Sequence, residues 1–184
     1  MARRFFVWAA ILSLFVDQVL KLLVYGSLMG PDPSRWRVMT LIPSILVIHP
    51  TRNPDGLFGW AYGPPWIYFV LPSIGILLVL WFALRSRDRW ASFAYGVILG
   101  GAAGNLIDRA RLGWVIDFID FRLPVFNFRW FTFNPADALI VVGIILLLAL
   151  ELFGKKSKAE EPVEKPGPAE TEETNDEQAA GLPG

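Results

Sequence analysis

Four apolar segments, Phe5 to Leu28, Trp66 to Leu84, Ala91 to Ile107 and Ala136 to Phe153, dominate this chain of 184 residues. A hydrocarbon core of ~30 Å is crossed by a helix rising ~1.5 Å per residue, so each segment is long enough to span it. Backbone polar groups cannot be left unpaired in lipid, so these segments are expected to be helices, giving a mainly α membrane protein with four transmembrane spans. Hydrophobic residues make up 54% of the chain and charged residues 18%, a balance outside the range of soluble domains. The first span opens "MARRFFVWAAILSLF" like a secretory leader, but it runs on through Asp17, Gln18 and Lys21 with no small-residue cleavage site. It is read as a retained helix.

The absence of cysteine excludes disulfides, thiolate metal sites and cysteine nucleophiles. His49, alone in "LVIHPTR", is read as an ordinary loop or strand residue, which disfavours mechanisms built on Ser-His or Cys-His pairs. The formal balance of 17 bases and 17 acids conceals a split. Eight acids (Glu160, Glu161, Glu164, Glu170, Glu172, Glu173, Asp176 and Glu177) lie after residue 158 among Pro, Gly, Ala and Thr, beside the single base Lys165. Such a segment buries too little apolar surface to offset its ordering entropy, so residues 155–184 are expected to be a disordered acidic tail following a membrane unit over 1–154. The membrane unit keeps 13 bases and nine acids, a mild excess suited to anionic lipid and with no nucleic-acid signature.

Between spans one and two, residues 29–65 include "RVMTLIPSILVIHPTR", where Ser44 to Ile48 reads as a strand pairing with its neighbours in a small sheet at the membrane surface. "RSRDR", Arg85 to Arg89, is a tight charged turn. Between spans three and four, "GWVIDFIDFRLPVFNFRWFTFNP" has the aromatic, amphiphilic composition of a segment lying in the interface. Eight bases flank the ends on the side of the termini (Arg3, Arg4, Arg85, Arg87, Arg89, Lys155, Lys156, Lys158), against seven dispersed in the two longer loops. Compact clusters beside span ends outweigh dispersed charges, which favours termini inside. Whatever the orientation, both longer loops face one compartment.

The polar residues in and beside the spans carry the chemistry. "FNPADALIVVG" has a complete structural account: Asn134 caps a helix, Pro135 fits its first turn, and Asp137 answers the helix dipole. "WVIDFIDF" offers Asp117 and Asp120, either of which suits a solvated loop or strand. The alternative comes from combining segments. One carboxylate leaving span three and another entering span four meet at the hydrocarbon boundary, where two close carboxylates share a proton. One can then activate water while the other protonates a substrate, chemistry that needs no histidine, metal or other cofactor. Gly100, Gly101, Ala102, Ala103 and Gly104 suit close helix packing. Asn105, Asp108 and Arg109 follow on one helical face, where an Asp-Arg pair is either structural or positions a substrate backbone. Asp17 and Lys21, four apart, neutralise each other as a structural pair.

Taken together, "DQVLK" (Asp17 to Lys21), "TRNPDGLFG" (Thr51 to Gly59), "GGAAGNLIDRARLGWVIDFIDF" (Gly100 to Phe121) and "FNPADALIVVG" (Phe133 to Gly143) resemble the ordered blocks of the bacterial lipoprotein signal peptidases, or signal peptidase II. The resemblance covers about residues 10 to 150. It implies an inner-membrane aspartic endopeptidase with four transmembrane helices and a small β-rich periplasmic surface loop. Such an enzyme cleaves diacylglyceryl-modified prolipoproteins on the amino side of the lipidated cysteine and is blocked by globomycin. On this resemblance Asp117 and Asp137 are the catalytic pair, Asn53, Asn105, Asp108, Arg109 and Asn134 line the site, and Asp17 and Lys21 form the first-helix motif. It also implies an outward-facing site and cytoplasmic termini. One block departs from the family pattern: after Asn53 the chain reads Pro54-Asp55-Gly56-Leu57-Phe58, with the glycine displaced by one and an added acid, Asp55. A small ion or proton transporter, with acids spread through the depth of several spans, and a non-catalytic membrane scaffold are the alternatives from other classes.

Overall fold

Small residues decide how the helices come together. In the computed structural model, which describes residues 2–54, 64 and 66–159, four helices are long and apolar enough to cross a membrane. They are α1 (Ala2–Leu28), α2 (Ile67–Arg85), α3 (Arg89–Leu112) and α4 (Pro135–Ala159). α3 packs against all three others, most extensively against α1 and then α4. Gly96, Gly100 and Gly104 recur every fourth residue and form one stripe against α1. A Cβ at Gly100 would lie 2.5 Å from the Ala10 carbonyl oxygen and 2.6 Å from the Ser13 Cβ, and one at Gly101 would lie 2.6 Å from the Ala136 carbonyl oxygen. Lipid supplies no hydrophobic drive for helix association, so this close backbone approach is what holds the bundle.

Gly100→Val is therefore expected to cost about 1–3 kcal/mol or more by overpacking, read as a lower thermal unfolding midpoint in detergent. Gly75 in α2, where a Cβ would meet nothing within 4 Å, is the matched control. Gly75→Ala leaves the midpoint unchanged or raises it, since alanine is the better helix former by about 1 kcal/mol.

α3 runs five residues past the expected end of its span at 107, and Asp108 and Arg109 lie within it, following Asn105 as their spacing on one helical face suggests. Asp88 starts it, its Oδ1 accepting from the Ala91 N–H at 2.7 Å. Gly113 stops it in the left-handed region at φ 80°, donating to the Arg109 carbonyl at 2.9 Å. α4 reaches Ala159, beyond the expected boundary at 154. Residues 160–184, with the acidic stretch, and Asp55 to Phe58 of the departing block lie outside the described residues.

The two longer loops build one antiparallel sheet, ordered β1 (Met39–Ile42), β2 (Leu46–Asn53), β3 (Val115–Leu123), β4 (Phe128–Arg129). One expectation is corrected here and another made definite. Ser44 lies in the β1–β2 turn at φ 62°, so the strand expected over Ser44 to Ile48 begins later and extends to Asn53. The segment after α3, expected to lie in the interface with Asp117 and Asp120 on a loop or a strand, contributes the nine-residue strand β3 in the interior of the sheet. Asp117 and Asp120 are three apart in "VIDFIDF", so in a strand they point to opposite faces, and pairing with β2 satisfies its backbone. The β2–β3 register slips between Ile48 and Thr51, where Pro50 has no N–H to offer a ladder. Beneath the sheet, Met29, Ile48, Ile116 and Phe118 form a buried cluster. Arg52 lies between the Trp36 and Trp114 rings at 5.2 and 5.0 Å, a cation-π bridge closing that cluster.

Candidate active site

The β2–β3 pairing, the α3–α4 contact and the α1 ion cluster converge at one end of the bundle. The deepest layer is Lys21, 1% exposed. Its ammonium donates to Asp17 Oδ2 at 3.0 Å, Asp108 Oδ2 at 2.8 Å and Asn105 Oδ1 at 2.9 Å, which uses all three of its hydrogens. The other oxygen of Asp17 accepts the Ala136 N–H at 3.0 Å, setting a carboxylate on the N-terminal turn of α4. Asp108 Oδ2 accepts the Ile116 N–H at 3.3 Å and so holds the start of β3. Asp17 and Lys21 thus form more than the pair expected from their spacing: with Asp108 they link α1, α3, β3 and α4. Gln18, which the sequence reading left without a role, donates to Asp17 at 3.1 Å, the Gly104 carbonyl at 3.3 Å and Asp108 at 3.3 Å. Its signal was available, since an amide inside an apolar span needs partners.

Above this layer lies a ring of amides and carboxylates. Asn134 accepts the Asp137 N–H on its Oδ1 at 3.1 Å, and the Asn134 N–H donates to Asp137 Oδ2 at 3.2 Å, a reciprocal cap of α4. The structural account of this block is therefore realised, but it does not exhaust Asn134. Its Nδ2 also donates to Asp117 Oδ1 at 2.6 Å and Asn105 Oδ1 at 3.0 Å. Asn105 Nδ2 reaches Asp137 Oδ1 at 2.8 Å, and Asn53 Nδ2 reaches Asp117 Oδ2 at 2.8 Å. Thr51, opposite Asp117 across the ladder, donates its hydroxyl to the Asp117 carbonyl at 3.2 Å. The two aspartates are thus held against one asparagine, each oriented by a further amide. Asp117 is buried, whereas Asp137 is partly accessible.

Arg109 is buried beside this ring, under the electrostatic influence of Asp137, Asp117 and Asp108. Its Nε has no hydrogen-bond partner among the described residues. Asp108 faces Lys21 and Gln18, one layer below the two aspartates. Asp120 is separate: fully buried, it accepts paired hydrogen bonds from Arg122 and Arg129, with His49 Nδ1 4.0 Å away. The hydrogen bond from Arg122 and, less strongly, those from Arg129 hold its carboxyl at about 2.

Asp117 is displaced the other way. Burial, followed by the Asp137 charge, raises its carboxyl from 3.8 to about 7 against the opposing amides of Asn53 and Asn134. With the folded value above the unfolded one, its protonation favours the folded state. That contribution is complete below the unfolded pKa and is lost as pH rises through about 7. Two measurements are expected to follow this. The Asp117 carboxyl band in the infrared disappears with a midpoint near pH 7 and is missing in Asp117→Asn, and the wild-type thermal midpoint falls on going from about pH 5 to about pH 8 more steeply than that of Asp117→Asn. Two close carboxyls holding one proton between them supply a base and an acid in one site.

Known proteins resemble the chain along most of its length. The family model described as Signal peptidase (SPase) II matches residues 9–153. The lipoprotein signal peptidase of Nostoc sp. is 39% identical over 153 residues, covering 81% of this chain and 90% of that protein. The lipoprotein signal peptidase of Psychromonas ingrahamii is 33% identical over 174 residues, covering 86% and 89%. A solved structure described as a bacterial membrane enzyme superposes with a TM-score of 0.71 at 26% identity, covering 85% of this chain and 92% of the other.

Proposed function

Because the chain belongs to the signal peptidase II family, we propose that Asp117 and Asp137 are the catalytic pair with which it removes signal peptides from prolipoproteins. The observation that carries this is the position of Asn134, which touches both carboxyl-bearing residues at once and ties a strand after α3 to the first turn of α4. The pair shares one proton. The ionised member takes a proton from water as the oxygen attacks the scissile carbonyl, and the protonated member gives its proton to the departing amide nitrogen. Asn53, Asn105 and Asn134 hold the two carboxyls in register through hydrogen bonds of 2.6 to 2.8 Å. Arg109, with a buried donor to spare, supplies positive charge and a hydrogen bond to substrate backbone beside the pair. Asp17, Lys21 and Asp108 form the foundation, fixing the ends of the helices that carry the pair.

The substrate of this reading is a prolipoprotein bearing a diacylglyceryl group on cysteine, cut on the amino side of that cysteine. A site at the end of a lipid-embedded bundle suits such a substrate, which arrives laterally with its acyl chains in the bilayer. The chain resides in the bacterial inner membrane with termini in the cytoplasm and the sheet outside, in keeping with the compact basic clusters at Arg3, Arg4 and Arg85 to Arg89. The test is cleavage by purified protein in lipid, comparing one prolipoprotein with and without the diacylglyceryl group. The lipidated form is expected to be cut and the unmodified form left intact. If both forms were cut equally the lipid requirement would be wrong, and if neither were cut by folded protein the peptidase assignment would go with it.

A further inference from the structure

Asp120 and its two arginines take no part in the chemistry described above, yet they form a built feature. Arg122 and Arg129 each donate Nε to Asp120 Oδ1 at 3.1 Å and Nη2 to Asp120 Oδ2, while the carboxylate itself is fully buried. Two planar forks on one carboxylate leave a residual charge of one, carried on guanidiniums whose side chains are 40% and 55% exposed. His49 adds a further positive charge when protonated.

The arginines frame the β3–β4 hairpin, whose apolar side chains point outward. Val125 is 90% exposed, Phe126 77%, Phe131 58% and Trp130 46%. The β1–β2 turn adjoins the same end of the sheet, with the Arg122 N–H donating to the Ile45 carbonyl at 2.8 Å, and brings exposed Ile42 and Ile45 beside it. A soluble surface seldom leaves such a patch uncovered. This one belongs to a protein with four membrane-crossing helices, and α4 begins only six residues after Arg129. Tryptophan and phenylalanine next to arginine is the composition of the interfacial zone, where rings enter the acyl boundary and guanidiniums meet phosphate.

We propose that the β3–β4 hairpin is a lipid-reading anchor: its Val125–Phe126 tip enters the leaflet on the side of the active site, and the Arg122–Arg129 pair set by Asp120 binds the phosphate of an anionic phospholipid. The anchor holds the sheet, and with it Asn53 and Asp117 at the opposite end of β2 and β3, at a fixed height over the bilayer. The charge complementarity selects phospholipid over an apolar protein partner, and the readout below is independent of cleavage.

The chain has no cysteine, so Phe126→Cys offers a single attachment point for a bimane fluorophore on the full-length protein. In phosphatidylcholine nanodiscs, bimane emission is expected to be quenched by doxyl-labelled lipid and protected from aqueous iodide. Quenching by a small fraction of doxyl-phosphatidylglycerol is expected to exceed that by doxyl-phosphatidylcholine, reflecting a local enrichment of about fivefold for one surface charge. Arg129→Gln keeps the Arg122 fork on Asp120 and removes the residual charge, so the two quenchers become equal. Arg129→Lys keeps the charge and the preference. Emission quenched by iodide and indifferent to doxyl lipid would overturn the insertion. Equal quenching by both lipids in the parent, or an undiminished preference in Arg129→Gln, would overturn the phosphate site.

Discussion

Protein carrying Asp117→Asn or Asp137→Asn is expected to cleave a lipidated prolipoprotein about 10²–10⁴-fold more slowly than the wild type, the range lost with a positioned acid or base. The two variants are expected to be equally deficient in kcat, and the double variant only slightly worse, because residues that act as one unit do not contribute additively. Folding is not the cause. Up to about pH 7 the Asp117 carboxyl keeps its proton, so asparagine is close to it in charge and shape, and its one oxygen keeps an acceptor for one of the two amides, Asn53 or Asn134, that bond separate Asp117 oxygens. Asp117→Asn should therefore melt close to the wild-type temperature at neutral pH, relief of the buried charge offsetting one lost hydrogen bond of about 1 kcal/mol. Asp137→Asn weakens the α4 cap and should lose about 0.5–1 kcal/mol, far too little to account for the lost rate. Wild-type turnover by either variant would remove that residue from the mechanism.

Lys21→Met is expected to produce the largest loss of stability of any single substitution in the bundle, about 3–5 kcal/mol. The ammonium is 1% exposed and lies between two carboxylates, Asp17 at 3.0 Å and Asp108 at 2.8 Å. Without it those charges face each other inside a desolvated bundle, and Asn105 loses one of its two donors. The loss reaches the site through α4, because Asp17 also binds the Ala136 N–H one residue before Asp137. Thermal unfolding in detergent checks this, with Lys21→Met combined with Asp17→Asn and Asp108→Asn as the companion. The triple variant should recover much of the stability, since replacing all the ions removes the uncompensated charge that replacing one creates. A triple variant no more stable than Lys21→Met would show that packing, and not charge, sets the cost.

Much of this architecture is legible from local signals. The spans are long unbroken apolar runs, and a run of that length in lipid has only the helix available to it. The small-residue run from Gly100 to Gly104 and the cap at Asn134 are likewise local features, to which the helix packing adds Gly96. The end of α3 is less legible because the apolar run stops at Ile107 while the helix continues through Asp108 and Arg109, whose charges are met by Lys21 and by the neighbouring carboxylates. The strand over Ser44 to Ile48 was displaced by the β1–β2 turn, whose left-handed Ser44 follows from how β1 and β2 pair and not from serine itself. β2 and β3 pair residues 62 to 75 apart in the chain, and no local pattern records the one-residue slip by which Thr51 comes to face Asp117.

By itself, then, the sequence determined the number and nature of the spans, the sharing of one compartment by both long loops, and the polar residues available there. Each depends on transfer of a short segment between water and lipid, an energy that needs no partner. Only the tertiary structure decided that Asn134 caps α4 and holds Asp117 in the same position, that Gln18 and Asp108 complete the Lys21 cluster, and that Asp120 turns away to a pair of arginines. Hydrogen bonds of 2.6 to 3.3 Å between residues far apart in the chain are set by helix approach and strand register. Those depend on how whole surfaces fit, which no single segment specifies.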